Sequence, residues 1–404
     1  MISVLIHTGL VLVTFYELIF KLFPNVEVIM TNTRDHRSML SMCLALGIGL
    51  LAAFNGELKK CSNRWILFFF LAVLASILFS PQFTLVVNDN DSTNFWVWKP
   101  ALMMLSYLLM FLAVQSMNIK LCEVDKMLRV AMYCGLVMAV YVIIQRFFSD
   151  QFYYVKTREL IGTPTNPQVV GTLGNATIVA PYIAMLIPLS IYLKKYFYGV
   201  VMVIAVLLCD SVMATGALFI ALCFYLVFSN ARLKILIFAV LVLVLTTFLF
   251  VKTNQNKEYF DNNGRMVVWR GIVTDMVHME FGDENKHPYL LTGLGPEGYS
   301  YVYNHIKKSV FREAHNEPLE IFVNHGLVGL VVFLIAVMWI FASFFYNLFW
   351  VRGDLYLALF SAFLVPMIVS LGTFIFQVSP HNFYTVLFLG LLYNQQLIKE
   401  YIDE

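Results

Sequence analysis

The run "ILIFAVLVLVLTTFLFV" (235–251) contains no charged side chain, and comparable apolar runs recur from one end of the chain to the other. Runs of this kind read as membrane-crossing helices. A bilayer interior has no water for backbone N–H and C=O groups, so only helices and closed barrels cross it. Barrel strands alternate in polarity. Neither this run nor "VVMVIAVLLC" (200–209) does so. The expected fold is all-α, a polytopic integral membrane protein. Composition agrees: 60% of the 404 residues are hydrophobic and only 13% are charged, where soluble domains hold about one-quarter charged residues. The net charge of +2 is too small to point to nucleic acid.

About twelve transmembrane helices are expected, at approximately 2–20, 38–54, 65–80, 96–117, 128–148, 173–193, 196–209, 211–229, 233–251, 318–346, 354–376 and 382–398. Between 196 and 229, Asp210-Ser211 leaves room only for a very tight turn, with one long bent element as the alternative. Lys and Arg collect on the cytoplasmic side of membrane proteins. With the N-terminus inside, Lys59, Lys60, Arg64, Lys120, Lys194 and Arg232 fall in inner loops, while the outer "SPQFTLVVNDNDSTNF" carries only acids. The first twenty residues lack a basic start and a small-residue cleavage site, so they read as an uncleaved first span. The six cysteines fall in spans or inner loops and are expected as free thiols. The chain 1–404 thus reads as a single membrane domain, with one long outer loop at 252–317 between spans nine and ten.

That loop carries helical periodicity. Val268, Ile272, Met276 and Met279 form one apolar stripe, and Tyr299, Val302, Tyr303 and Ile306 form another. Both amphipathic helices are expected at the membrane surface. Between them, "GLGPEG" (293–298) matches G-x-G-x-x-G. Nucleotide binding would need a preceding strand, so a turn is the expected role of these glycines.

The loop ends in "FREAHNEPLE" (311–320). Asn316 is placed to cap the tenth span, with Glu317 and Pro318 in its first turn, where an acid and a proline are favoured. Capping leaves His315 unexplained. A helix N-terminus favours a neutral imidazole, which can take a proton as a general base. Arg265, Arg270 and Arg312 lie in the same loop, and Arg158 lies in a second polar outer segment at 149–172. Guanidinium forks suit phosphate oxygens, although snorkelling or pairing with Glu313, Asp275 or Glu280 is the plainer reading of each. His325 and the pair His381-Asn382 read as structural. Glu17 and Asp210 would be costly inside the membrane, but both sit near span ends.

Three stretches in order resemble the O-antigen ligase and polymerase family. "GTLGNATIVAPYIAMLIPL" (171–189) is similar to a Gly-x-x-Gly-Asn entry into a proline-containing helix, through Asn175. "GRMVVWRG" followed by "PYLLTGLGPEGY" resembles a Gly-Arg-x-x-x-Trp helix and a glycine turn. "AHNEPLEIFVNHGLVGLVVFL" resembles the family's His-Asn-x-x-Leu-Glu helix start. The likeness covers roughly 160–340. It departs at Ala176, where a proline is usual, and at His325, where a Glu-Gly pair is common.

The resemblance implies a multi-pass glycosyltransferase of the bacterial cytoplasmic (inner) membrane, with its active site facing the periplasm. The implied donor is a glycan on undecaprenyl pyrophosphate. The implied acceptor is a sugar hydroxyl, on lipid A-core in ligases or on another lipid-linked glycan in polymerases. On this reading His315 is the catalytic base and Arg265 the main pyrophosphate clamp. Arg158 and Arg270 are further pyrophosphate contacts, and Asn316, Glu320, Trp269, Asn175 and Arg312 are supporting residues. No cofactor or metal is expected, the transfer should invert configuration, and no nucleic-acid partner is implied. The rival is a transporter or flippase of a lipid-linked or anionic solute, which would favour charged, broken helices near mid-membrane. A non-catalytic membrane scaffold is the third reading.

Overall fold

The computed structural model describes residues 2–21, 33–56, 94–147, 173, 176–229, 265–278, 289–295, 299, 314–350, 353–373 and 379–403. Among these residues there is no strand. The front half contains α1 (Ile2–Lys21), α2 (Thr33–Phe54), α3 (Asn94–Ser116) and α4 (Leu121–Phe147). Next come α5 (Ala176–Ala184), α6 (Ile187–Tyr192), α7 (Tyr196–Leu208) and α8 (Val212–Phe228). The back half contains α9 (Arg265–His278), the one-turn α10 (Tyr289–Thr292), α11 (Glu317–Trp350), α12 (Asp354–Val369), α13 (Ser379–Leu392) and α14 (Gln395–Asp403). Among the described residues, α4 and most of α11 are long and apolar enough to cross a bilayer, and several shorter apolar helices accompany them. The expected spans 65–80 and 233–251 lie outside the described residues.

Two expectations change in detail. The span expected at 173–193 is two helices, because Pro188 at the second position of α6 has no N–H to continue the ladder. Met185 N–H turns back to the Pro181 carbonyl (3.0 Å), and Leu186 N–H to that of Ile183 (3.0 Å). The alternatives at Asp210-Ser211 also resolve. Asp210 takes a left-handed conformation (φ +57°), and the Ser211 hydroxyl accepts from Ala214 N–H at 3.4 Å to cap α8. The segment is therefore a tight turn between two helices. Asp210 itself is exposed on that turn. From the turn, α7 packs on α4 and α5, while α8 packs on α12 and α5.

The core follows from sequence apolar on every side. A helix with no polar face has to be buried, and in α5 Val179, Ala180, Tyr182 and Ile183 are fully so. Around it the main core joins α1 to α2, α4 and α13, α3 to α2 and α13, and α12 to α8 and α13. The far half of α11 joins this core through aromatic rings. Phe344 stacks on Phe360 (3.5 Å) and on Tyr356 (5.1 Å), and Trp339 stacks on Tyr393 (5.4 Å).

One buried polar cluster was not foreseen. The hydroxyls of Thr14 (α1), Tyr182 (α5) and Tyr384 (α13) form a triangle with edges of 2.8, 2.9 and 3.0 Å. The Leu10 carbonyl lies 2.7 Å from the Thr14 hydroxyl and 3.1 Å from that of Tyr384, so it can accept whichever of these protons is not shared within the triangle. A buried hydroxyl without a partner is costly, so this closed network locks three helices in one register. Thr14→Val keeps the shape and removes the shared vertex. It is expected to destabilise the protein by about 1–3 kcal/mol, read as a lower melting temperature in detergent.

Candidate active site

The site is assembled around a small second core beside the main bundle. Val268, Ile272 and Met276 of the expected stripe face inward on α9, with Ile272 and Met276 fully buried. Leu294, Tyr299, Ala314, Phe322 and Val323 complete this core. Arg270, Gly271, Val273, Thr274 and Val277 are exposed, so α9 is amphipathic as its spacing required. The fourth stripe residue, Met279, and Val302, Tyr303 and Ile306 of the second stripe lie outside the described residues.

Gly293 and Gly295 of "GLGPEG" make a turn that docks into a break in α11. Gly293 and Gly295 have positive φ, and inside α11 Gly326 leaves helical geometry (φ +65°, ψ −168°). At the break, the Val323 carbonyl accepts from Leu294 N–H (2.8 Å) and the Asn324 carbonyl from Gly295 N–H (2.9 Å). The Asn324 side-chain oxygen takes Tyr299 N–H (3.1 Å). Backbone lies directly on backbone here: a Cβ on Gly326 would meet the Leu291 carbonyl, and one on Gly293 the Asn324 carbonyl. Gly326→Ala would add both a clash and a disfavoured φ. It is expected to destabilise the outer unit by about 2 kcal/mol or more, seen as faster limited proteolysis within 252–317 in otherwise folded protein.

His315 stands where this unit meets the start of α11. Its φ is +51°, in the left-handed region. That conformation costs a non-glycine residue roughly 1–2 kcal/mol, although histidine visits it more readily than most. Tethers on both flanks hold it there. Trp269 Nε1–H donates to the Ala314 carbonyl at 2.7 Å. Asn316 Nδ2 donates to the Leu371 carbonyl at 2.9 Å, and Glu317 N–H to that of Ser370 at 2.9 Å. Asn316 also caps the helix as expected, its Oδ1 accepting from Leu319 N–H at 3.0 Å. The residues around His315 therefore touch three separate segments: α9, the turn that ends α12, and α11 itself. His315 is half-buried, and Glu317 and Glu320 are buried in the first turn behind it. Such carboxylates sit well at a helix N-terminus.

Comparison with known families bears on this unit. Residues 197–334 match the family model described as O-antigen ligase. The likeness to the O-antigen ligase family is thus found over these residues, less than half of the chain. No curated protein matches the chain. The matched stretch runs from α7 into α11 and contains α9, the glycine turn and His315. The "GTLGNATIVAPYIAMLIPL" stretch lies before it. The O-antigen ligase match and the apolar helices together support a membrane protein of a glycan-transferring kind.

Within the matched stretch, Trp269, His315, Asn316 and Glu320 come together at one junction. Arg265 is the first residue of α9, one turn before Trp269. Arg270 is exposed on the outward side of α9. Arg158, Asn175 and Arg312 lie outside the described residues. Of the residues read as structural, His381 is fully buried with its ring edge-on to Tyr182 at 6.1 Å. Two features escaped the sequence reading. The break at Gly326 could have been suspected from "NHG" lying inside an apolar helix. The triplet Asp89-Asn90-Asp91 carries two carboxylates of a type that suits a hard cation. That triplet lies outside the described residues, so the expectation of metal independence rests on the pyrophosphate chemistry and the arginines alone.

Proposed function

We propose that this protein transfers a glycan from undecaprenyl pyrophosphate to a sugar hydroxyl on the periplasmic face of a bacterial inner membrane. The proposal includes about twelve membrane spans and a periplasmic loop at 252–317. The observation that carries it is the docking of the Arg265 helix and the glycine turn onto the His315 junction, as one unit inside the matched stretch.

The chemistry divides between the two residues. The His315 imidazole takes the proton of the acceptor hydroxyl as the oxygen attacks the anomeric carbon. A new glycosidic C–O bond forms, and the old C–O bond to pyrophosphate breaks. The leaving electron pair stays on the pyrophosphate oxygen, whose growing charge the Arg265 guanidinium stabilises. Direct attack at that carbon inverts its configuration. Asn316 and Glu320 support the base, and Arg158 and Arg270 extend the phosphate contacts.

Deletion of the gene with plasmid complementation tests the reading through the surface polysaccharide and the lipid-linked pool. A ligase deletion leaves full-length lipid-linked polymer unattached, whereas a polymerase deletion leaves single-repeat product. An unchanged polysaccharide and an unchanged lipid-linked pool would overturn the proposal.

A further inference from the structure

We propose that Trp269 is the positioning residue for the base, setting the conformation of His315 through the backbone of Ala314. This rests on the reading of His315 given above. Trp269 is partly buried on α9, and its indole N–H is directed at the Ala314 carbonyl at 2.7 Å, across 45 residues of chain. Ala314 is buried, and its carbonyl belongs to the peptide group that leads into His315. That peptide plane helps to define the φ of His315, which lies at +51°. A donor locked onto the carbonyl opposes rotation of the plane, and so opposes relaxation of the histidine to an ordinary negative φ. On the other side, Asn316 and Glu317 are tied to Leu371 and Ser370. The imidazole is thus carried on a backbone pinned at both ends.

The link has a second consequence. Arg265 and Trp269 are four residues apart on one helix, so their Cβ atoms are about 6 Å apart. The indole bond therefore also sets the distance between the phosphate-binding helix and the base. A misplacement of about 1 Å between reacting groups can cost on the order of 100-fold in rate. Loss of the indole N–H should leave donor binding in place and misalign the base.

The test uses full-length protein in nanodiscs. Donor and acceptor are the lipid-linked glycan and acceptor lipid extracted from the deletion strain. Benzothienylalanine at position 269 keeps the bicyclic ring and removes only the N–H; Trp269→Phe removes the donor with a smaller ring. Both are expected to lower kcat about tenfold or more per folded molecule, with donor KM within about twofold and the protein still fully folded at the assay temperature. Trp269→His, which restores a ring N–H, should recover part of kcat. An unchanged kcat, or a loss of activity that disappears once it is scaled to the folded fraction, would overturn the positioning role. His315→Ala in the same assay separates the two ideas. Full activity there removes the base itself, whereas an inactive His315→Ala beside a fully active benzothienyl protein removes only the role of Trp269.

Discussion

His315→Ala is expected to abolish rescue of the deletion strain while the protein still inserts and the lipid-linked donor accumulates. A sugar hydroxyl is a weak nucleophile until its proton is removed, and a positioned general base contributes about 10²–10⁴-fold. Glycine sharpens the test. His315 occupies the left-handed region (φ +51°), which glycine adopts without a Cβ penalty. If this position served only to turn the chain into α11, His315→Gly would be as active as wild type. If the imidazole does the chemistry, His315→Gly should still fold and insert and yet transfer no glycan. An active His315→Gly protein would end the proposed mechanism, because only the side chain has been removed. The contrast is informative because the backbone cost of histidine here is opposed by tethers from Trp269, Asn316 and Glu317, none of which uses the imidazole.

Arg265→Ala is expected to lower transfer by about 10²–10³-fold, the loss seen when one preorganised donor to a developing anion is removed. Arg265→Lys restores the charge but not the planar fork, and a bidentate phosphate site does not treat the two as equivalent. Lysine should therefore recover only a small part of the activity. The check is single-turnover transfer with extracted donor, read as pyrophosphate-linked lipid released. Arg270→Ala should cost less than Arg265→Ala, since Arg270 is an auxiliary phosphate contact on the exposed side of the same helix. Equal losses at the two positions would point to a general electrostatic role of α9, and no loss at Arg265 would remove the clamp.

Several parts of this site were legible without coordinates. The stripe Val268, Ile272, Met276 appears on the buried face of α9 because helical period alone decides which residues share a side. Asn316 caps α11 because its short polar side chain, followed by Glu317 and Pro318, suits a helix start whatever the surroundings. The turn at Asp210-Ser211 follows from the same kind of local rule, with the serine oxygen capping α8. Pro188 acted locally too, although its effect on the span at 173–193 was not anticipated.

Other parts lay beyond local pattern. Gly326 looked like one more small residue in an apolar run, and only the arrival of Leu294 and Gly295 N–H groups at the Val323 and Asn324 carbonyls explains the break there. Thr14, Tyr182 and Tyr384 are scattered over most of the chain and meet only because α1, α5 and α13 pack together. The sequence by itself determined the helical membrane class, the amphipathic face of α9 and the capped start of α11, since each depends on residues within a turn or two of one another. The tertiary structure decided the left-handed backbone of His315 and the placement of the Arg265 helix beside it. Both depend on hydrogen bonds such as Trp269 to Ala314, which form only after a long loop has closed and a second core has packed beneath it.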